Sequence, residues 1–158
     1  MKIKIRKASI KDLEFVYSLR NETVAKKNSI NSKKILLKDH KIWFKKKIKD
    51  KNSLYFIITS KNLEKIGFVR YDIEYIFANV SINIHSKFRN LGYGSIILKE
   101  TEKFIKKSII LVANVKKNNP KSLKIFKKNQ YKILKKNNQL VLVKIIIRFN
   151  RSILPFKK

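Results

Sequence analysis

The chain switches repeatedly between a two-residue and a helical hydrophobic period, and the order of the switches sets the expected architecture. Ile3 and Ile5 alternate with basic residues and predict a strand over residues 2–8. Ser9, with Asp12 three residues on, has the pattern of a helix start; Leu13, Val16 and Tyr17 then share one helical face up to Arg20 and Asn21. Residues 22–34 are polar and aperiodic, which predicts a loop with at most one short turn. A second helix is expected over 36–50, with Leu37, Ile42, Trp43, Phe44 and Ile48 on a broad apolar side among lysines. Residues 54–59 and 66–71 read as strands joined by a polar connection, with Gly67 at a bulge. A strand over 75–85 then feeds Arg89-Asn90-Leu91-Gly92-Tyr93-Gly94-Ser95, and Tyr93, Ile96, Ile97, Phe104 and Ile105 mark the helix that follows. The apolar run 109–115 predicts a central strand. Asn119 before Pro120 is a helix cap followed by proline at the first helical position, so 122–128 is helical. Residues 131–134 and 140–149 close as a hairpin around 136–139, leaving 150–158 as a tail.

Composition narrows the chemistry. At 158 residues the chain is one domain, 1–149, with room for a real core. It has no cysteine, hence no disulfide, thiolate nucleophile or cysteine-based zinc site, and two isolated histidines do not build a metal site unaided. No segment has the continuous apolar length of a signal peptide or a membrane span, so a cytoplasmic protein is expected. The net charge of +30 suggests a polyanion binder at first sight. Only six of the forty basic residues are arginine, however, and the lysines are spread along the chain rather than gathered into one arm. That pattern fits AT-rich base composition, and nucleic-acid binding is not expected as the main function. The excess positive charge should still favour a phosphorylated small molecule.

The segment from Arg89 to Ser95 is the strongest chemical signal. Two glycines one residue apart let backbone N–H groups approach a ligand, and the first turn of the next helix presents further N–H groups that favour phosphate. Arg89 adds positive charge. The spacing is looser than a Walker A loop and has no Lys-Ser/Thr pair for a nucleoside triphosphate and its metal. Arg89-Asn90-Leu91-Gly92-Tyr93-Gly94 resembles the acetyl-CoA pyrophosphate loop of the GCN5-related N-acetyltransferases. Asn119-Pro120-Lys121-Ser122-Leu123-Lys124-Ile125-Phe126, running on to Tyr131, resembles the later helix of that family, with Asn129 in place of its glycine, asparagine being the next-best residue for the left-handed conformation a helix end often needs.

The resemblance implies a mixed α/β (α+β) fold: a mostly antiparallel sheet of about seven strands, splayed between the fourth and fifth, with four helices. It implies acetyl-CoA as acyl donor and a small-molecule amine as acceptor, in a monomer or homodimer with no metal. Backbone groups of Ile82 and Ile84 would pair with pantetheine, one of them also holding the thioester oxygen. Arg89, Asn90, Leu91, Gly92, Tyr93, Gly94 and Ser95 would wrap the pyrophosphate, and Asn119 would touch the pantetheine arm. The family often places a carboxylate where this chain has Asn79, and a tyrosine acid where it has Phe126. Glu74, Asp72 and His85 are the titratable groups left near the strand.

An acceptor amine less basic than lysine would need less help from an acid or a base. Leu19-Arg20-Asn21-Glu22, Asp39-His40-Lys41-Ile42-Trp43-Phe44 and Ile66-Gly67-Phe68-Val69-Arg70-Tyr71-Asp72 resemble the acetyltransferases that modify amino sugars on nucleotide carriers. That resemblance implies Arg20, Asn21, His40, Trp43 and Arg70 on the acceptor side. Acetylation of a protein N-terminus or ribosomal protein is the alternative within the enzyme class. A catalytically idle basic module is the alternative outside it.

Overall fold

The computed structural model describes residues 2–29, 32–136 and 139–148. Seven strands, β1 (Ile3–Lys7), β2 (Ser53–Ser60), β3 (Lys65–Glu74), β4 (Phe77–Ile84), β5 (Ile109–Lys116), β6 (Lys132–Lys136) and β7 (Gln139–Ile146), form one sheet in the order β1-β2-β3-β4-β5-β7-β6. Among the described residues five α-helices accompany it: α1 (Leu13–Asn21), α2 (Thr23–Asn28), α3 (Leu37–Lys49), α4 (Tyr93–Thr101) and α5 (Pro120–Lys128). Neighbouring strands are antiparallel except β4 and β5, which run parallel and pair only where Phe77–Asn79 meets Ile110–Val112. Beyond Asn79 the two strands part, and the expected splay lies there.

Each half of the sheet has its own packing partners. Helices α4 and α5 cover one face, where Ile97, Leu98 and Phe126 join Val69, Tyr71, Leu111, Ala113 and Leu142 in the larger core. The Tyr71 hydroxyl is tied to the Thr101 hydroxyl at 2.8 Å inside it. Helices α1 and α3 cover the opposite face over β2 and β3, where Val16, Leu19 and Phe44 pack on Tyr55, Ile57 and Phe68. Strands β2 and β3 are thus covered on both faces and read as continuous buried runs, whereas β5 alternates.

Asp12 fastens the start of α1 to the sheet. Its fully buried carboxylate accepts both 2.7 Å hydrogen bonds of the Arg6 guanidinium, meets Lys65 at 2.9 Å and takes the Ser9 N–H at 3.0 Å. Burial acts to raise this carboxyl, but the bonds from Arg6, Lys65 and Ser9 outweigh it and hold it well below the usual carboxylate range.

Several expectations need correction. The segment 22–34 contains the six-residue α2, which buries no residue and therefore leaves no hydrophobic period in the sequence. On α3 the core side is His40 and Phe44, one turn apart, while Leu37 and Ile42 are exposed. The strand expected from Tyr75 begins at Phe77, because Tyr75, at φ 53°, belongs to the turn that closes the β3–β4 hairpin. Helix α4 ends at Thr101 in a short 3₁₀ turn, and Phe104 is 45% exposed. After α5 the left-handed residue is Gln130 (φ 68°), not Asn129. Asn129 instead donates its side-chain amide to the Ile125 carbonyl and the Ser95 hydroxyl, joining α5 to α4. Gly67 does lie beside a register shift, and a side chain there would strike the Asn83 carbonyl at 2.2 Å. The turn at 137–138, Phe149 and the tail 150–158 lie outside the described residues.

Candidate functional site

The splay exposes one edge of β4, and the strand register says which groups line it. His85 donates to the Ile66 carbonyl of the β3 side, and Ile110 donates to the Ile76 carbonyl from the β5 side. Odd residues of β4 therefore direct their backbone groups to β3, and even ones direct them to the gap. Ile82 and Ile84 face the opening left past Asn79. The Ile84 carbonyl is already occupied, because Arg89 Nε donates to it at 2.8 Å. What remains on that edge is the Ile82 N–H and C=O and the Ile84 N–H, the pattern that an amide-bearing chain would add to as an extra strand.

The glycine loop continues that edge. Asn90 (φ 63°) and Gly92 (φ 82°) are both left-handed, so the chain reverses sharply into α4 with Gly92 as its cap residue. The first N–H groups of α4 have no partner within the helix and point into the loop. Gly94 has a different job. A side chain there would meet Ile125 at 2.5 Å and Ile84 at 3.2 Å, so this glycine lets α4 seat against α5 and β4. Arg89 is not a free cation: besides the Ile84 carbonyl it pairs with Glu22 at the end of α1, and it braces the loop against the opposite side of the molecule. Leu91 is exposed at the loop's tip, and the half-buried Ser95 is held by Asn129. Tyr93 packs edge-on against buried Phe88. Asn119 caps α5, accepting from the Ser122 N–H at 3.1 Å and donating to its hydroxyl at 2.9 Å.

A second cluster lies on the α1/α3 face. Arg20 Cζ stands 4.4 Å, and Arg70 Cζ 4.9 Å, from the centroid of the Trp43 ring. Arg70 donates to Asp72 at 2.7 Å, and Lys47 shares that carboxylate at 3.1 Å. Among the described residues no carboxylate pairs with Arg20. Burial, and then the charge of Arg70, lower the Arg20 pKa. Beneath them the Tyr55 hydroxyl is buried without a hydrogen-bond partner. Tyr55 and Lys47 were not singled out in the sequence: Tyr55 sits in a run apolar on both faces, and Lys47 is one lysine of many.

The expected acceptor-side residues divide. Arg20, Trp43 and Arg70 come together, on α1, α3 and β3. Asn21 is close in sequence but structural, its amide taking the Ile35 N–H at 3.0 Å and donating to the Ile35 carbonyl at 3.1 Å. His40 is 1% exposed, among Tyr17, Trp43 and Phe44, and neither ring nitrogen makes a hydrogen bond. Burial first, then the charge of Arg20, lower its pKa to about 4, so it is a neutral core ring.

The candidate bases divide too. Glu74 lies on the exposed closing end of the β3–β4 hairpin, opposite Phe77. Seven residues of strand separate Phe77 from Ile84, about 23 Å, so Glu74 is not brought to the glycine-loop end. His85 Nδ1 accepts the Lys87 N–H at 3.3 Å, which commits that lone pair to a turn. Asp72 pairs across the ladder with Asn79, at the mouth of the splay. Phe126 is 4% exposed and packs edge-on against Tyr131 at 5.0 Å, in the core.

Residues 2–132 match the family model of the acetyltransferase (GNAT) domain. The chain belongs to the GNAT acetyltransferase family. As such it is an acyltransferase that takes acetyl-CoA as donor and acetylates an amine. No curated protein matches the sequence. Among solved structures, a domain from Methanocaldococcus jannaschii is 23% identical, with 92% of this chain and 99% of that one covered at a TM-score of 0.72. The spermidine N-acetyltransferase of Vibrio cholerae, solved with CoA and spermine, is 16% identical, with 91% and 94% covered at 0.74. The aminoglycoside acetyltransferase AAC(6')-Ib, solved with ribostamycin and coenzyme A, is 10% identical, with 92% and 94% covered at 0.76. At these identities the likeness is one of fold. No helix among the described residues is long and apolar enough to cross a membrane.

Proposed function

We propose that this GNAT enzyme acetylates the amine of a small acceptor that carries phosphate, an amino sugar linked to a nucleotide. The observation that carries the reading is Arg20: a half-buried guanidinium held beside Arg70 with no carboxylate of its own among the described residues. Two cations over one indole repel each other, and a diphosphate placed between or beside them would offset that cost with charge-assisted hydrogen bonds. The buried Tyr55 hydroxyl is a further donor close to the same place. A polycationic acceptor would meet repulsion there.

On this reading acetyl-CoA lies along the open edge of β4. Its pantetheine amides bond to Ile82 and its pyrophosphate sits on the N–H groups from Asn90 to Ser95. The Ile84 N–H then meets the thioester oxygen as it gains negative charge. Arg89 acts through position, holding the loop to Ile84 and to Glu22. The neutral amine attacks the thioester carbon, the C–S bond breaks, CoA leaves as a thiolate, and the proton of the new amide nitrogen goes to solvent. A thiolate with a pKa of about 8.5 departs without an acid, consistent with Phe126 lying in the core. Asp72 is the carboxylate nearest the mouth of the splay along the ladder, and its bonds to Arg70 and Lys47 make it an orienting group for the arginine rather than a free base.

Initial rates with acetyl-CoA test the proposal on four amines: a nucleoside-diphosphate-linked amino sugar, the same sugar free, spermidine and an aminoglycoside. The linked sugar should exceed the others in kcat/KM by tenfold or more, about 1.4 kcal/mol. Equal or better turnover of spermidine would overturn it.

A further inference from the structure

We propose that the hollow between the C-terminal ends of α4 and α5 and the end of β7 binds a chain of phosphates, at a site separate from the glycine loop. The strand pattern shows why a hollow lies there. Along β7 Leu140, Leu142, Lys144 and Ile146 share the face that packs against the helices, and all but Lys144 are buried in the larger core. Lys144 is a cation in an apolar row. Helix α5 stops at Lys128, short of covering it, and leaves a cavity of about 420 Å³ over Lys144 and Ile146. That is within the range of small-ligand sites, about 300–1,000 Å³. Lys99 and Lys103 reach it from α4 and the turn that follows, Lys128 from α5 and Arg148 from beyond β7. Lys99 stands six residues along α4 from Tyr93, about 9 Å, so the hollow is apart from the first turn of that helix.

Two of these cations are held in place. Glu102, 6% exposed, accepts the Tyr131 hydroxyl at 3.0 Å on one carboxylate oxygen and Lys144 Nζ at 2.5 Å on the other. An apolar pair would fill that inward place at a lower desolvation cost, so packing alone does not account for Lys144. Arg148 donates from Nε to the Ile105 carbonyl at 3.1 Å and from Nη2 to the Glu102 carbonyl at 3.2 Å. Both acceptors are neutral, so the guanidinium is oriented yet keeps its charge, with Nη1 unengaged among the described residues. Lys103 pairs with Glu100, while Lys99 and Lys128 meet no carboxylate among the described residues. Five cations, one carboxylate and about half a negative charge from each helix end leave the hollow at roughly +3. A metal cation would be repelled, and a single phosphate would leave much of that charge unmatched. No aromatic ring lines the cavity among the described residues, so there is nothing for a base to stack on. The chemistry that fits is a run of linked phosphates, inorganic or the triphosphate of a nucleotide, taken by the planar fork of Arg148 and the lysine ammonium groups. The site does not depend on the acceptor proposed above.

Titration calorimetry with sodium triphosphate tests this on the full chain saturated with CoA, in about 150 mM NaCl without divalent metal. One triphosphate should bind per chain. The double variant Lys128→Gln/Arg148→Gln should weaken it tenfold or more. Lys41→Gln/Lys45→Gln removes the same two charges from the exposed side of α3 and should weaken it less than twofold. Lys128→Gln alone, at an exposed position with no partner to lose, should weaken it severalfold, and it carries the test if the double variant does not fold. Acetylation rates equal to wild type in each variant establish that it is folded. Metal-free ATP binding at least as tightly as triphosphate assigns the phosphates to a nucleotide, and weaker ATP assigns them to the inorganic chain; either supports the site. Absence of binding up to about 1 mM triphosphate overturns the proposal. So does binding seen only without CoA, which would put the phosphates on the glycine loop. An equal loss in the α3 variant overturns it as well, since the attraction would then be the diffuse one of a chain at +30. A single-stranded oligonucleotide that binds tenfold tighter than triphosphate, and is lost in the same double variant, would make the hollow a nucleic-acid surface and overturn it too.

Discussion

Along the open edge of β4 the groups offered to a ligand are backbone: the N–H groups of Ile82 and Ile84 and those of the loop capped by Gly92. On the α1/α3 face they are side chains from four separate elements, Arg20, Trp43, Tyr55 and Arg70. A backbone surface is fixed by local conformation and tolerates almost any side chain, so a donor shared by many enzymes can be held by a few residues in a row. A side-chain surface depends on how three layers pack, and it changes with each substitution. The first should therefore fail all at once when its geometry is broken, and the second should lose affinity by degrees.

The largest effect is expected from Gly92→Val, which puts a β-branched side chain on a φ of 82° in the loop. Acetyl-CoA should no longer raise the Tm, a loss of at least a hundredfold in affinity, while the unliganded variant still unfolds cooperatively. A preserved shift would mean that the loop does not hold the donor.

Next comes the tie between α1 and the sheet. Asp12→Asn leaves Arg6 and Lys65 without their shared carboxylate and should cost about 3 kcal/mol in urea unfolding. Because the Asp12 pKa is depressed in the folded state, its contribution is fully present above the unfolded value near 3.9 and is lost as pH falls below it. The stability gap between wild type and variant should thus be constant from about pH 5 upward and shrink in more acidic solution. A gap that widened on acidification would contradict the assignment.

Arg20→Gln separates the two sides directly. It should raise the acceptor KM about tenfold, 1.4 kcal/mol, and leave the acetyl-CoA affinity unchanged in titration calorimetry. A parallel loss of donor affinity would show the two surfaces to be coupled through Glu22 and Arg89. The smallest effect belongs to Phe126→Tyr. Its ring packs on Tyr131 in the core, so kcat should change by less than about twofold, with some loss of Tm from a new hydroxyl in a buried place. A gain of tenfold in kcat would mean that departure of the thiolate limits the enzyme and that an acid is missing after all.

The few acidic residues have a common use. Asp12, Glu22, Asp50, Glu64, Asp72, Glu100 and Glu102, seven of the ten in the chain, each meet a Lys or Arg. In so basic a chain they act as ties between elements: Asp12 joins β1, α1 and β3, Glu22 joins α1 to the glycine loop, and Glu102 joins the end of α4 to β7 and Tyr131.

The sequence by itself determined the features written in short-range terms. The alternation of β1 and β5, the capping of α5 by Asn119 and the glycine loop from Arg89 to Ser95 follow from propensity, period and the freedom of glycine, none of which needs a distant partner. The tertiary structure decided everything that depends on what lies across a gap. It put His40 into the core while Trp43, three residues on, met two arginines, because the face of α3 that carries His40 and Phe44 meets Tyr17 of α1 while Trp43 on its flank meets Arg20 and Arg70. It engaged Arg89 with Glu22, 67 residues away, and gave the left-handed turn after α5 to Gln130. It also left one face of β5 and β7 uncovered: an alternating strand reveals that it has two faces, but only the placement of helices determines which face is covered.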